Sequence, residues 1–198
     1  MSVEERQAIA RAPTRVVGYH GCSREVAETI LRGGAFSPSD NAEDWLGYGV
    51  YFWEYAPYRA LEWGAARFPD RPAVLEATIE LGDCLNLLDR EHFDGLAQAY
   101  EAEVERLQRR GVQIPVNTAR GAHFLDRLVV NVYCRRTARV MRPFRTVRGC
   151  FPEGGPIYAG SKILNKAHVQ VAVRDLRCLS SVRMVDLPGE LFQRPGGE

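Results

Sequence analysis

The sequence lacks long apolar runs and has no excess of charge of either sign. No stretch of about 18 consecutive apolar residues occurs, so no transmembrane helix and no membrane partner are predicted. The N-terminal segment MSVEERQAIARAPTR is charged and has no apolar core of the signal-peptide kind. Lys and Arg number 26 against 25 Asp and Glu, and the net charge of +1 excludes a strongly basic DNA-coating protein. We therefore expect a cytoplasmic protein.

Cysteine and histidine are too few and too scattered to predict a disulfide framework or a structural zinc site. The five cysteines are Cys22, Cys84, Cys134, Cys150 and Cys178, and the four histidines are His20, His92, His123 and His168. The cysteine number is odd, and no C-x-x-C pair is present. We expect free thiols in a reducing compartment and no bound metal.

Apolar periodicity predicts an α+β domain rather than a run of regular βαβ units. Strands are expected at 15–20, 49–53, 73–81, 138–144, 155–158, 168–174 and 179–184, and helices at 24–32, 58–67, 91–110 and 119–136. Ser23 is the expected N-cap of the first helix. No G-x-G-x-x-G and no G-x-x-x-x-G-K-S/T occurs, which disfavours a Rossmann domain and a P-loop.

These elements suggest a simple division of the chain. Residues 1–14 form an N-terminal extension, 15–187 a single domain and 188–198 a Pro- and Gly-rich tail that we expect to be poorly ordered. A helical insert at about 91–136 separates two strand-rich halves of the domain.

Three short motifs carry groups suited to binding or catalysis. In Gly18–Ser23, His20 ends a strand and is followed at once by Gly21, which offers an imidazole beside an approachable backbone amide. In Asp44–Glu54, alternation places Tyr51 and Trp53 on one strand face, where an aromatic ring could stack on a planar heterocycle. Each motif alone also fits an ordinary structure: a glycine turn in the first case, core aromatics in the second.

The third motif is the strand at 168–174, which follows Ile157–Lys162. If Val169, Val171 and Val173 face the core, His168 and Gln170 face the other way. Gln170 then lies either in solvent on a sheet edge or in a cleft.

Taken together, these motifs resemble the ADP-ribosyltransferase superfamily, in its H-Y-E/D/Q branch with diphtheria toxin and the poly-ADP-ribose polymerases. The resemblance covers about residues 15–68 and 155–180, and the full chain looks most like uncharacterised bacterial members of the branch. It implies a split mixed β-sheet with an NAD⁺ cleft between its halves and, in this chain, a helical insert.

The resemblance also implies roles for individual residues in handling NAD⁺ as a substrate. His20, Tyr51 and Gln170 are the implied catalytic set: His20 bonds the adenosine ribose, Tyr51 stacks on the nicotinamide, and Gln170 bonds the nicotinamide ribose. Gly21 would hold the nicotinamide carboxamide through its backbone.

Two further positions complete the implied NAD⁺-binding set. Cys22 follows Gly21 directly in the first motif. Trp63 is the candidate for covering the second face of the nicotinamide.

Many family members carry Glu where this chain has Gln170. An amide has no charge and cannot act as a general base, which favours mono-ADP-ribosylation over polymer formation. A carboxylate elsewhere would have to compensate, and Glu54, Asp44 and Glu153 are the candidates. His168 shares a strand face with Gln170 and is a further acceptor-side candidate, with Glu153 and Glu54.

The expected activity is therefore NAD⁺-dependent mono-ADP-ribosylation of a macromolecular acceptor, protein or nucleic acid. An Arg-rich stretch from Arg135 to Arg148 fits either a nucleic-acid surface or an ordinary solvated face. The resemblance implies a bacterial toxin or phage-defence effector, with an antitoxin or other regulatory partner. The alternative is a catalytically weak or inactive member that binds NAD⁺ or ADP-ribose. An RNA 2′-phosphotransferase is disfavoured, because no set of basic residues accompanies the motifs.

Overall fold

The computed structural model describes residues 14–41, 44–118 and 122–187, and one seven-stranded mixed β-sheet forms its centre. The predicted tail, and the predicted N-terminal extension apart from Thr14, lie outside the described residues. The class is α+β, as the periodicity predicts.

The strands are β1 (Arg15–Ser23), β2 (Val50–Glu54), β3 (Pro72–Glu80), β4 (Cys84–Asn86), β5 (Thr146–Phe151), β6 (His168–Val173) and β7 (Leu179–Val185). The helices are α1 (Arg24–Leu31), α2 (Pro57–Arg67), α3 (Phe93–Arg109) and α4 (Phe124–Thr137). Helices α3 and α4 fall in the stretch expected to be a helical insert. Among the described residues, none of these helices combines the length and apolar character that a membrane crossing requires.

The strand order across the sheet is β4-β5-β6-β2-β1-β3-β7. Every neighbouring pair is antiparallel except β4 and β5, which are parallel. The pairing of β1 with β2 is short: it covers Gly18 with Glu54 and Tyr19 with Trp53. Beyond Tyr19, β1 continues along β3, whereas β2 runs with β6. The sheet is therefore continuous through one short pairing and opens beyond it.

Side-chain alternation sends neighbouring residues of the central strands into separate cores. Phe52 and Val171 pack in a core with Ala27 and Ile30 of α1, on one face of the sheet. On the other face, Ala172 packs against Val130 and Cys134 of α4. Farther along that face, Trp53 packs with Ala60 of α2 and with Val74. Because α2 and α4 cover two separate parts of one face, the strip between them is left for a cavity.

Two strand predictions are wrong. Residues 138–144 continue from α4 as turns, in which the amides of Val140 and Met141 bond the Thr137 carbonyl. Pro143 has no amide to donate to a sheet ladder, and Val140 is 82% exposed, so no strand face is buried there. Residues 155–158 belong to a loop that contains only an isolated bridge between Pro156 and Leu164. The short β4 was not predicted.

Several local predictions are confirmed. Ser23 caps α1, and its hydroxyl accepts a hydrogen bond from the Val26 amide over 3.3 Å. The last strand falls where it was expected, as β7. All five cysteines are free thiols, and Cys150 is the exposed one.

Candidate functional site

A cavity of about 420 Å³ lies where β1 and β2 separate, a size typical of small-molecule sites. Its wall is made by β1, β2, β6, α2, the segment before β2 and the end of β5 with the residues that follow it. The lining residues are His20, Gly21, Ser37, Ser39, Asn41, Asp44, Trp45, Val50, Tyr51, Trp53, Arg59, Trp63, Arg67, Phe151, Glu153 and Gln170. The cavity therefore collects residues from all three sequence motifs.

His20 bridges the separated strands at the inner end of the cavity. Its Nδ1 lies 2.9 Å from the backbone carbonyl oxygen of Tyr51, and a carbonyl only accepts, so Nδ1 carries the proton. Burial lowers the pKa of the imidazole, which is packed against Phe36 and Phe52. His20 is therefore neutral at pH 7, and its Nε2, which has no hydrogen bond within the described residues, is a free acceptor.

Gly21 is fixed both by packing and by the direction of its backbone. A Cβ at this position would lie 2.2 Å from the backbone oxygen of Ala60, so only glycine lets α2 approach β1 so closely. The Val17 carbonyl accepts from the Tyr55 amide, on the β2 side of β1. Because backbone groups alternate along a strand, those of Gly21 also point to that side, into the opening between β1 and β2.

Cys22, the neighbour of Gly21, does not line the cavity. Its side chain is 4% exposed and belongs to the core beneath α1. Burial raises the pKa of the thiol to about 11, so it stays protonated at neutral pH.

Tyr51 presents its ring to the cavity and uses its hydroxyl to hold the preceding segment. The hydroxyl donates to the Gly47 carbonyl over 2.7 Å and accepts from the Leu46 amide over 3.0 Å. Burial raises the pKa of this phenol far above its ordinary value, so it remains a donor at all physiological pH values. The ring is therefore fixed in place before any ligand binds.

Helix α4 supports the same segment from outside. Asn131 Oδ1 accepts from the Tyr48 amide over 3.0 Å, and Arg174 donates to the Tyr48 carbonyl over 2.8 Å. Gly47 has φ +76°, and a Cβ there would lie 2.6 Å from Asn131 Oδ1. The helical insert thus holds in place the segment that carries Trp45 to the cavity.

One face of α2 forms an aromatic and cationic wall. Arg59, Trp63 and Arg67 follow one another at intervals of four residues, which places them on one side of the helix. The Trp63 ring lies 5.8 Å from that of Trp53, and the Arg67 guanidinium lies 5.8 Å from the Trp63 ring centre. Arg59 and Arg67 were missed in the sequence analysis, although their spacing from Trp63 was the signal that would have found them.

Gln170 lies on the central strand β6, opposite Trp53 on one side and Gly149 on the other. It lines the cavity, and its side-chain amide makes no hydrogen bond within the described residues. The alternative of a solvent-exposed edge position is excluded, because β6 is paired on both sides. The amide is free to bond a ligand.

The acceptor-side candidates lie in different surroundings. Glu54, with its side chain 7% exposed, forms a two-point ion pair with Arg148 and does not line the cavity. His168 is 7% exposed, lies behind Trp53 and Phe151, and bonds the Lys166 carbonyl over 2.7 Å. Glu153 lines the cavity itself.

Unsatisfied polar atoms are concentrated at this cavity. Among the described residues, three buried side-chain atoms have no hydrogen-bond partner: Trp53 Nε1, Arg59 Nε and His168 Nε2. Trp53 and Arg59 line the cavity, and His168 packs against its wall. Burial lowers the pKa of His168, so its bare Nε2 is an acceptor. Native proteins seldom leave such atoms unpaired, so we expect a ligand or ordered water at the cavity to supply the missing partners.

The Arg-rich stretch lies away from this site. Arg148 pairs with Glu54 and Arg145 with Asp175. The exposed members with no ion pair in the described part of the chain are Arg135, Arg136, Arg139 and Arg142. They precede the start of β5 in the chain, whereas Phe151 at the opposite end of β5 lines the cavity, and none of the four is a lining residue.

No protein-family model matches the chain, and no curated protein shows significant similarity to it.

Proposed function

We propose that the protein is an NAD⁺-dependent mono-ADP-ribosyltransferase with the fold of the H-Y-E/D/Q branch. One observation carries the proposal: His20, Tyr51 and Gln170, which come from three strands far apart in sequence, line one cavity. The family resemblance selects the same three residues for NAD⁺.

The opening of the sheet beside the β1–β2 pairing supports the fold assignment. A split of this kind provides a cleft whose inner end is formed by the backbone of one strand and the side chain of another. In this chain the backbone group is that of Gly21, which points into the opening, and the side chain is the ring of Tyr51. In the proposal, Gly21 holds the nicotinamide carboxamide, and Tyr51 and Trp63 cover the nicotinamide ring.

The residues suit the chemistry of N-glycosidic cleavage. The bond from ribose C1′ to nicotinamide breaks with its electron pair going to the ring nitrogen, so nicotinamide leaves uncharged and the ribose becomes cation-like. His20 Nε2, a neutral acceptor, bonds a hydroxyl of the adenosine ribose. The carbonyl oxygen of Gln170 bonds the nicotinamide ribose. The fixed positions of these groups lower the cost of orienting the substrate.

The amide of Gln170 favours a single transfer over polymer growth. Elongation requires repeated activation of a ribose hydroxyl on the bound chain, and an amide cannot take up that proton. Gln170 itself therefore gives no support to elongation, and we propose that a single ADP-ribose unit is transferred to a protein or nucleic-acid acceptor.

The test is incubation of the purified chain with labelled NAD⁺ and cell extract. We expect label transfer and nicotinamide release. His20→Ala and Tyr51→Ala should abolish NAD⁺ binding, whereas Gln170→Ala should keep binding and lose turnover. Absence of label transfer, of nicotinamide release and of NAD⁺ binding together would refute the proposal. Thermal stabilisation by NAD⁺ without nicotinamide release would identify instead the catalytically inactive NAD⁺-binding alternative.

A further inference from the structure

We propose that Glu153 is the general base of this site and that it activates a neutral hydroxyl acceptor. The inference rests on the proposed function and adds to it a catalytic residue and an acceptor class. Gln170 cannot accept the proton of an incoming hydroxyl, and Glu153 supplies a group that can.

The structure discriminates among the three candidate carboxylates. Glu54 is buried in its pair with Arg148, away from the cavity. Asp44 lines the cavity but is 8% exposed, and its two oxygens accept from the Ser39 hydroxyl and the Asn41 amide. Glu153 lines the cavity with a side chain that is 38% exposed. It is the one of the three that an acceptor can reach.

Arg59 holds Glu153 in position and leaves one of its oxygens free. Arg59 Nη2 donates to Glu153 Oε2 over 2.9 Å, while Nη1 of the same guanidinium bonds Glu62, which in turn pairs with Lys166. Glu153 Oε1 accepts no hydrogen bond from the described residues. The arrangement therefore fixes the carboxylate through one oxygen and presents the other as a proton acceptor.

The charges around Glu153 select the kind of acceptor. Glu153 and Glu62 neutralise Arg59, but Arg67, which also lines the cavity, has no ion pair among the described residues. A cationic acceptor such as a guanidinium therefore meets an unpaired like charge there. A carboxylate acceptor is already deprotonated and gains nothing from a base. A hydroxyl is neutral and needs its proton removed as it attacks, and it is the acceptor that this carboxylate serves.

Atoms and charge are conserved in the transfer step. The hydroxyl oxygen bonds to ribose C1′ as the bond from C1′ to nicotinamide breaks, and nicotinamide leaves with the electron pair of that bond. The hydroxyl proton passes to Glu153 Oε1 and from there to solvent. Water in place of the acceptor gives free ADP-ribose by the same route.

The experiment compares two nucleophiles in wild type and in Glu153→Gln. Water needs a base, whereas azide attacks C1′ as an anion and needs none. We expect Glu153→Gln to bind NAD⁺ within about threefold of wild type and to lose about 100-fold in NAD⁺ hydrolysis, a typical contribution of a general base. Formation of ADP-ribosyl azide should change less than about threefold.

Glu62→Gln is the matched control, because it breaks the other ion pair of the same guanidinium. If Glu153 acted only by holding Arg59, Glu62→Gln would reproduce its loss; we expect hydrolysis within about threefold of wild type instead. Formate added to Glu153→Ala supplies a carboxylate from solution, and we expect it to raise hydrolysis at least about tenfold.

The outcomes separate this inference from the proposed function. A wild-type chain that neither binds NAD⁺ nor releases nicotinamide refutes the proposed function. A wild-type chain that is active, with Glu153→Gln retaining hydrolysis or losing the water and azide reactions equally, overturns the role of Glu153 alone. If the wild-type chain is active, the role of Glu153 is also overturned when azide fails to react in Glu153→Gln and formate fails to restore hydrolysis in Glu153→Ala.

Discussion

Replacing Tyr51 by Phe separates the two roles that the structure gives this residue. The ring faces the cavity, and the hydroxyl holds the segment before β2 through its bonds to Leu46 and Gly47. Tyr51→Phe keeps the ring and removes both hydrogen bonds. It should therefore lower stability and leave the aromatic surface for a ligand intact.

The expected loss follows from the two bonds. Both backbone partners belong to buried residues, so their polar groups lose a partner that water does not readily replace. At about 1 kcal/mol per neutral hydrogen bond, the free energy of unfolding should fall by about 2 kcal/mol. For a chain of this size that corresponds to a drop in Tm of about 4–8 °C.

Urea unfolding followed by tryptophan fluorescence measures the change, with Tyr55→Phe as the control. Tyr55 is 64% exposed, and its hydroxyl makes no hydrogen bond within the described residues, so we expect a change within about 0.5 kcal/mol. Equal stabilities of the two variants would refute the role of the Tyr51 hydroxyl. NAD⁺ affinity of Tyr51→Phe should stay within about threefold of wild type, a difference of about 0.6 kcal/mol.

Three further predictions concern stability. Burial lowers the folded-state pKa of His20 below its ordinary 6.5, so the unfolded chain binds more protons at this residue than the folded chain does. The free energy of unfolding should therefore fall from pH 7 to pH 5. Urea titrations of His20→Gln should show a shallower fall over the same range. Gly21→Ala drives a Cβ into the α2 backbone and should cost about 3 kcal/mol, whereas Gly155→Ala, with open space around it, should cost less than about 0.5 kcal/mol by the same assay. Glu54→Gln leaves Arg148 buried without its counter-charge and should cost about 3 kcal/mol; a loss of activity with unchanged stability would contradict this structural role.

The central strands were predictable because strands covered on both faces carry short apolar runs rich in β-branched residues. Val171 and Ala172 of β6 enter opposite cores, as the run of β-branched residues indicates. The same alternation places Tyr51 and Trp53 on the cavity side of β2. The α1 cap at Ser23 is local chemistry, and it too could be read from the sequence.

Other features depend on contacts between distant segments, which a local pattern does not encode. The ion pair that places Glu153 at the cavity joins residues 94 positions apart, as does the pair that removes Glu54 from it. Apolar periodicity predicted a strand at 138–144, but Pro143 and the end of α4 prevent one. Gln170 could be placed in a cleft only once β6 was known to be an inner strand of the sheet.

Calorimetric titration with NAD⁺ tests the central claim most directly, because it needs no knowledge of the acceptor. The wild-type chain should bind one NAD⁺ per molecule. Tyr51→Ala should lose measurable binding, and Tyr100→Ala, on a partly exposed face of α3, should bind as wild type does. No saturable binding by the wild-type chain at millimolar NAD⁺, or equal affinity in all three proteins, would contradict the assignment of this cavity to NAD⁺.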